Sequence, residues 1–382
     1  MKRGIIKKVC ILILILVSVW VFYKVNGKNY NFHIEIQKHI IGHPEFLPNK
    51  EVVPYTSFWF KNLAADMYWL RAIQYIGGNA VHSEYKKYLF VVLDLITELN
   101  PYFENPYTIG QLLLPDYNER YEKKEEKEQS KNIEESILLS QKGIQNFCDP
   151  QKLEKIFAED DLWKIMKNPE FKNPCKGYMI PYYFAYIQFF YKNNGLEASK
   201  YYKVVSAQED APDWARVLAA IMQGKWGNRE KSLYMFLSLA QSLETQQTAC
   251  LVMTQEVERV YSYLSQKKLP LTGKLISDIE NLRNEVFPKL TEENEQEILD
   301  DTKCSNYLVK AIRELSLMYI EQGNEKFMKN HPLWLPARNA KALYEEGYID
   351  FLPTDYQQYE DYGIIYEYNY DIRRYDYTMG EY

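Results

Sequence analysis

Hydrophobic side chains recur at helical spacing through most of this chain. Between residues 56 and 76 they lie three or four positions apart, which predicts an amphipathic helix with one face in a core. The positions on that face are Phe58, Leu63, Met67, Leu70 and Ile73. Gly77 and Gly78 end the run, and a second apolar run reaches about residue 99, so the two predict a helical hairpin. Further runs of this kind predict an all-α body over residues 55–343.

Two neighbouring stretches within residues 178–246 share one helical pattern at an offset of 34 residues. A small residue is followed four positions later by an aromatic one in both stretches: Ala198 and Tyr202 in the first, Ser232 and Phe236 in the second. This period and spacing are typical of tetratricopeptide repeats, helix–turn–helix units that bury their apolar faces by stacking on one another. The pattern therefore predicts an α-solenoid of helical hairpins, a type of fold that mostly binds proteins.

The last 39 residues, 344–382, differ in composition from this body. They contain eleven tyrosines and ten acidic residues against two arginines, and residues 363–370 alternate with period two. Alternation of this kind predicts a short β-hairpin. We expect a Tyr-rich C-terminal cap on the solenoid, because stacked repeats need a terminal cap; the alternative is an exposed acidic and aromatic ligand for a partner.

Residues 1–26 have the pattern of a targeting segment. Four basic residues lie within the first eight positions, and residues 9–23 form an apolar run without charges. The run is short for a membrane span, which leaves a cleaved signal peptide as one interpretation. The aromatic residues Trp20, Phe22 and Tyr23 and the lack of a small-residue cleavage site favour an uncleaved transmembrane anchor. Both interpretations place the N-terminus in the cytoplasm and the body outside it.

Residues 27–54 are polar and interrupted by three prolines, so they are predicted to form a spacer that separates the membrane segment from the body. The histidines of this spacer do not match the ligand spacing of a metal site. We therefore predict no metal and no cofactor. The net charge of −6 also disfavours nucleic acid as a partner.

The five cysteines include no Cys-x-x-Cys pair, which argues against a zinc or thioredoxin-like site. Cys148 and Cys175 flank one helical stretch, and Cys250 and Cys304 flank another. An extracytoplasmic location permits disulfides between them, while buried free thiols are equally consistent with the sequence.

Three charged residues stand in apolar helical surroundings: Asp66, Arg71 and Asp94. Since an isolated buried charge is costly, each is expected to have a partner. We predict an ion pair between helices, with Arg71 and Asp94 as its members. The alternative is that Asp66 or Arg71 lies in the groove of the solenoid and binds the terminus of a peptide.

The chain has none of the common catalytic or phosphate-binding motifs, and we predict that it is not an enzyme. Aromatic residues of the predicted helices are more often packed than used in binding. On the first helix of each repeat, however, such side chains line the inner surface of the solenoid. Candidate binding residues are Trp69, Arg71, Tyr182, Tyr186 and Trp214.

Part of the N-terminal half resembles a known group of proteins. The stretch ADMYWLRAIQYIG, followed by LDLITELNPYFENPYTIGQLLL, is similar to the first hairpin and repeat junction of bacterial membrane-anchored tetratricopeptide-like proteins. Leu113 stands where that pattern has a tyrosine. The resemblance implies a tetratricopeptide-like fold and an extracytoplasmic location, and it implies no activity.

Together these features predict a single-pass membrane protein that acts as a scaffold for protein–protein interactions in the bacterial cell envelope. One alternative is an α-helical envelope enzyme acting on polysaccharide or peptidoglycan. A cleft lined with paired acidic residues would support this alternative. The other alternative is a structural subunit of a secretion or pilus assembly. Large exposed apolar patches would support that alternative.

Overall fold

The computed structural model describes residues 16–21, 24, 50–79, 86–116, 126–243, 248–267, 270–287, 302–331, 333–355 and 364–379. These residues are mainly helical, with one short pair of strands, so the all-α prediction is confirmed. The chain divides into two compact units, residues 1–139 and 140–382. Each unit is described by itself.

The first unit is a set of consecutive helices. They are α1 (Val53–Thr56), a 3₁₀ turn (Phe58–Phe60), α2 (Lys61–Asn79), α3 (Lys86–Leu99), α4 (Glu104–Leu113) and the start of α5 (Glu126–Phe147). Helix α3 packs against both α2 and α4 and is buried along most of its length. The helical hairpin predicted for residues 56–99 is therefore present, with its first helix starting five residues later than expected.

The side of helix α2 that faces the core is the opposite of the predicted side. Ala65 and Ala72 are buried, and these small side chains allow α3 to approach closely. Four larger residues of the predicted core face, Leu63, Met67, Leu70 and Ile73, are exposed instead. The side chain of Phe58, the fifth predicted residue, lies outside the described part of the chain. We call the four exposed residues, together with the exposed Phe60 of the preceding 3₁₀ turn, the outer stripe.

The predicted pair of Arg71 and Asp94 is also wrong in this unit. The carboxylate of Asp94 accepts a hydrogen bond from Lys50 Nζ at 2.7 Å. The guanidinium of Arg71 lies over the ring of Tyr68 instead, 5.7 Å from its centroid, and Asp66 is exposed. The prediction assumed that both charges lie between α2 and α3, whereas only Asp94 lies on a buried surface.

The second unit contains the larger number of helices. They are the end of α5, α6 (Pro150–Ala158), α7 (Leu162–Lys167), α8 (Met179–Phe190), α9 (Gly195–Ser206), α10 (Asp213–Arg216), α11 (Leu218–Trp226), α12 (Arg229–Gln241), α13 (Thr248–Lys267), α14 (Gly273–Val286), α15 (Thr302–Asn330) and α16 (Ala340–Glu345). Two strands follow, β1 (Ile364–Asn369) and β2 (Arg374–Met379).

The two stretches offset by 34 residues correspond to successive pairs of helices. Helix α9 packs against α8 and α11, and α11 packs against α12. Equivalent positions are buried alike, as for Tyr202 and Phe236 or for Ala185 and Ala219. The hydroxyl of Ser199 donates to the carbonyl of Ala219 across α9 and α11 at 2.8 Å. The internal repeat is therefore a repeat of packing as well as of sequence.

The C-terminal strands form an antiparallel hairpin, as the alternating pattern predicted. Its register pairs Tyr366 with Tyr377 and Asn369 with Arg374. The hairpin packs beside α15 and α16. Asn339 accepts a hydrogen bond from the backbone N–H of Ala342 and so caps the start of α16.

Both candidate cysteine pairs are bonded: Cys148 to Cys175 and Cys250 to Cys304. Among the described residues, none of the helices combines the length and the hydrophobicity needed to cross a membrane. The predicted membrane segment lies outside the described residues apart from 16–21 and 24, and the predicted spacer apart from 50–54.

Candidate binding face on the second unit

Helix α8 presents a row of aromatic side chains on one side. Tyr178, Tyr182, Tyr186 and Phe190 are four residues apart, so they lie along one face of a helix with 3.6 residues per turn. Trp214, from the short helix α10, lies beside this row, with its ring centroid 5.5 Å from that of Tyr182. We call these five residues the aromatic face.

The opposite side of α8 explains why the row stays at the surface. Phe184, Ala185 and Ile187 are almost completely buried. The ring of Phe184 packs edge-to-face on Tyr201 of α9 at 4.6 Å. Helix α8 is thus apolar on both sides. Among the described residues, α9 packs along one side, and the short helix α10 lies beside the other through Trp214 and covers it only in part.

The outermost rings of the aromatic face are the most exposed. Phe190 is 60% exposed and Trp214 is 56% exposed. Tyr186 stacks on Phe190 with centroids 5.3 Å apart and planes 11° from parallel. Tyr182 lies deeper and contacts the buried Tyr202 at 5.8 Å. Contacts between rings therefore hold the face in a defined shape, so a ligand would meet ordered rings.

The edge of the face is fixed by the turn between the helices of the repeat. Phe189 packs against Trp226 at 5.4 Å, and the indole N–H of Trp226 donates to Asn193 at 3.2 Å. Gly195 has no room for a β-carbon because the ring of Trp226 occupies that space. These contacts connect α8 to α11 and so link the two copies of the repeat.

The aromatic face is electrically neutral. Burial raises the pKa of Tyr182, and the neighbouring tyrosines raise it further. Burial also raises the pKa of the Tyr202 beneath it. Arg216, next to the base of Trp214, is paired with Asp213 at 3.2 Å. At neutral pH the face therefore offers apolar rings and protonated phenols, which suit an uncharged, partly apolar ligand.

Three of the five predicted binding residues come together on this face: Tyr182, Tyr186 and Trp214. The other two belong to the first unit. There Trp69 packs edge-to-face on Phe103 at 5.6 Å, and Arg71 lies over Tyr68. We did not predict Tyr178 and Phe190, although extending the four-residue spacing from Tyr182 and Tyr186 in both directions leads to them.

A cluster of charged side chains, deeper in this unit, connects the C-terminal hairpin to the helices. Arg229 donates to Glu314 at 3.0 Å and to Glu321 at 2.9 Å, and also to the carbonyl of Tyr375. Arg374 donates to Glu321 and to two carbonyls of the α11 region. The small cavity in this cluster has a volume of about 10 Å³, roughly enough for one water molecule. The arrangement is that of a structural network.

The chain has adjacent aspartates at positions 160–161 and 300–301, the type of paired acid that the cleft of an envelope hydrolase would need, and the described pair has structural partners. Asp160 pairs with Lys231 at 2.8 Å and with Lys203 at 3.3 Å. Asp161 caps the start of α7 by accepting from the N–H of Lys164 and also accepts from the hydroxyl of Tyr234. Residues 300 and 301 lie outside the described part of the chain.

An open groove of about 470 Å³ runs along α13 and α14 and is lined by Arg259, Val260, Tyr263, Pro270, Thr272 and Leu275. None of these described lining residues carries a carboxylate, the group that supplies the acid and base of glycoside hydrolysis. Across the described ranges, no group of three or more His, Cys, Asp or Glu residues is arranged to hold a metal ion.

Comparison with known proteins gives no match to a family model, to a curated protein or to a solved structure. The aromatic face is the described feature with the strongest properties of a binding surface, because it is exposed, apolar, ordered and neutral. The function is therefore inferred from this face.

Proposed function

We propose that this chain is a membrane-anchored, extracytoplasmic scaffold of the tetratricopeptide type in the bacterial cell envelope. It has no enzymatic activity of its own and binds a protein partner through the aromatic face. The observation that carries the proposal is the row of aromatic side chains on α8 and α10, in which Phe190 and Trp214 are exposed and the three tyrosines are half-buried. Exposed aromatic clusters of this size are typical of binding surfaces.

The type of fold is supported by the repeat itself. The two pairs of helices, α8 with α9 and α11 with α12, bury equivalent residues at an offset of 34. In a tetratricopeptide solenoid the first helix of each pair lines the inner surface, where ligands bind. Helix α8 is the first helix of its pair, which supports the aromatic face as the binding surface of this proposal.

The proposed location is supported by the disulfides. Two bonds between cysteines 27 and 54 residues apart are stable in oxidising compartments and rare in the cytoplasm. A body outside the cytoplasm agrees with the basic and apolar pattern of residues 1–26.

The partner that fits this face is an extended or helical protein segment with aromatic, aliphatic or proline side chains and little net charge. Aromatic-lined surfaces bind such segments by burying their apolar side chains, while phenol hydroxyls bond to their backbone. A strongly charged segment would lose solvation here without gaining an ion pair.

A test is affinity purification of the full-length protein from gently solubilised membranes, followed by mass spectrometry. The variant Phe190→Ala/Trp214→Ala removes the two most exposed rings and leaves the packed Tyr182 in place. Its matched control is Trp163→Ala, an exposed aromatic residue of α7 outside the face. We expect the same envelope protein to co-purify in stoichiometric amount with the wild type and the control, and to be lost with the double variant.

Three results would contradict this proposal. The first is a partner retained by the double variant, and the second is the absence of any stoichiometric partner. The third is an isolated envelope polysaccharide that binds the wild type and not the double variant, because it would assign the aromatic face to carbohydrate.

The second candidate function, a structural subunit of a secretion or pilus assembly, is favoured by the outer stripe of α2. That stripe is the kind of exposed apolar patch a packed subunit covers in its complex. Co-purification of a large multi-subunit complex that survives the Phe190→Ala/Trp214→Ala change would favour this second function.

A further inference from the structure

The outer stripe of α2 forms a continuous apolar surface in the first unit. Its five side chains are between 47% and 68% exposed. Leu63, Met67 and Leu70 lie on the side of α2 opposite to Ala65 and Ala72, which face the core. Phe60 precedes them in the 3₁₀ turn, and Ile73 lies at their flank. A patch of this size on a helix is unusual for a surface that faces only water.

The spacing of the outer stripe matches a coiled-coil seam. Phe60 and Met67 occupy the first position, a, of consecutive heptads, and Leu63 and Leu70 occupy the fourth, d. In this register Ala65 and Ala72 fall at position f, on the far side of the helix. The core of the first unit thus covers the back of α2 and leaves its seam outward.

The charges beside the seam complement a second copy of the same helix. Asp66 falls at position g, and Arg71 falls at position e of the following heptad. In a parallel pair of helices, position g of one chain lies beside position e of the next heptad in the other. Asp66 of each copy would therefore lie beside Arg71 of the other, and the two-fold axis produces this contact twice.

Neither of these charges forms an ion pair with a carboxylate or a cation in the part of the chain that the structure describes. Asp66 is exposed, and Arg71 contacts only the ring of Tyr68. Both are therefore available to a second chain. An antiparallel pairing would place the seam residues together but would remove this contact between g and e.

We propose that two copies of this chain associate in parallel through α2, with the outer stripes packed together and Asp66 of each copy paired with Arg71 of the other. The seam ends at Gln74, the next a position, so it spans about two heptads. A seam this short gives a modest affinity by itself. The inference is independent of the aromatic face, and its parallel orientation agrees with the proposed anchor, which would place both N-termini at one membrane surface.

Charge exchange tests the pairing directly. The full-length protein in mild detergent is analysed by sedimentation equilibrium as wild type, Asp66→Arg, Arg71→Asp and the double variant Asp66→Arg/Arg71→Asp. Each single change places like charges beside each other at both symmetry-related contacts of the dimer, so we expect the dissociation constant to rise at least ~10-fold. The double variant restores opposite charges, and we expect it to return to within ~3-fold of the wild type. A loss in both single variants that the double variant fails to recover would overturn the proposal.

Cross-linking tests the orientation. With Cys10 replaced by serine to remove the remaining thiol, Leu63→Cys places a cysteine at position d, which faces its own equivalent in a parallel pair. Asn62→Cys, one residue earlier and exposed on α2, is the matched control. Mild oxidation is expected to link the Leu63→Cys protein into covalent dimers and to leave the Asn62→Cys protein largely monomeric.

Two results would overturn the parallel pair. One is equal cross-linking of the Leu63→Cys and Asn62→Cys proteins. The other is a protein that stays monomeric while an environment-sensitive dye attached to Leu63→Cys reports a hydrocarbon environment in vesicles, because the outer stripe would then lie on the bilayer.

Discussion

Arg229 and Glu314 form a buried ion pair between α12 and α15, with Nη1 of the arginine 3.0 Å from Oε2 of the glutamate. The same guanidinium also bonds to Glu321 and to the carbonyl of Tyr375 in the C-terminal hairpin. Two helices and one strand that are far apart in the sequence therefore meet at a single side chain.

Replacing Arg229 by alanine is expected to lower the free energy of unfolding by about 3–5 kcal/mol, because it leaves buried Glu314 without its cation. Urea denaturation followed by circular dichroism measures this change. The control is Arg259→Ala, which removes an exposed pair with Glu256 and should cost less than about 1 kcal/mol. Equal effects of the two changes would show that the Arg229 network contributes no more than a surface pair.

Lys310 lies on the same small cavity as Arg313 and Asp376. Burial lowers its pKa to about 8, and the charge of Arg313 acts in the same direction, while Asp355 opposes it. The folded protein therefore carries an unfavourable charge below pH 8. Between pH 8 and the ordinary lysine pKa of 10.5 the folded form loses this proton before the unfolded form does, so stability rises with pH from this group.

The variant Lys310→Met removes that charge. It is expected to be more stable than the wild type at pH 7, and the difference between them should shrink as the pH approaches 10.5. Urea midpoints of both proteins at several pH values measure the difference in stability. Because both proteins contain the same tyrosines, the contribution of tyrosine titration cancels in this difference. A difference that stays constant between pH 7 and pH 10 would contradict a lowered pKa for Lys310.

Each disulfide closes a long loop, since Cys148 and Cys175 are 27 positions apart in the sequence and Cys250 and Cys304 are 54 positions apart. Loop-closure entropy predicts a stabilisation of roughly 3–4 kcal/mol from each bond. Peptide mapping without reductant should recover these two pairs. Replacing either pair with serines should lower the thermal midpoint, and a reductant should then have less effect on the variant than on the wild type. Recovery of other pairs, or of free thiols, would contradict the assignment.

Gly110 of α4 has no space for a side chain, because a β-carbon there would meet Leu139 and Leu93. Overpacking in the Gly110→Ala variant should destabilise the first unit by about 1–3 kcal/mol. The higher helix propensity of alanine should offset roughly 1 kcal/mol of this loss. Gly77→Ala in α2 is the matched control, since nothing lies near that position; it should stabilise by about 0.5–1 kcal/mol. Thermal denaturation distinguishes the signs, and a gain in both variants would rule out close packing at Gly110.

The parts of the fold that could be predicted from the sequence depend on local patterns. The helices around the repeat follow from periodicity, and the burial of Tyr202 and Phe236 follows from their equivalent positions. The alternation of residues 363–370 similarly predicts the hairpin. Each of these signals is contained within a few turns of chain.

The parts that could not be predicted depend on which neighbour covers a surface. The spacing of Leu63, Met67 and Leu70 identifies an apolar face of α2, but it cannot show that the alanines behind them would pack against α3. In the same way, the sequence marks Asp94 as a charge that needs a partner. It contains no signal that selects Lys50, which lies 44 positions away, over the nearer Arg71.

The aromatic face falls between these two cases. Tyr182 and Tyr186 follow from helical spacing, and Trp214 could be predicted because it lies at the start of the second copy of the repeat. The exposure of Phe190 could not be predicted, because an apolar residue at the end of a hydrophobic helix is more often packed. Whether such a residue stays exposed depends on which elements pack on that side of α8.

The attachment of the C-terminal hairpin has a consequence for synthesis and quality control. Arg374 reaches the carbonyl of Gly224, 150 residues earlier in the chain, and Arg229 needs the carbonyl of Tyr375. The charged centre of the second unit therefore stays incomplete until residues 374 and 375 have been made. A chain truncated before residue 374 would expose this unsatisfied cluster, and proteases that remove unfinished proteins would recognise the resulting loose helices.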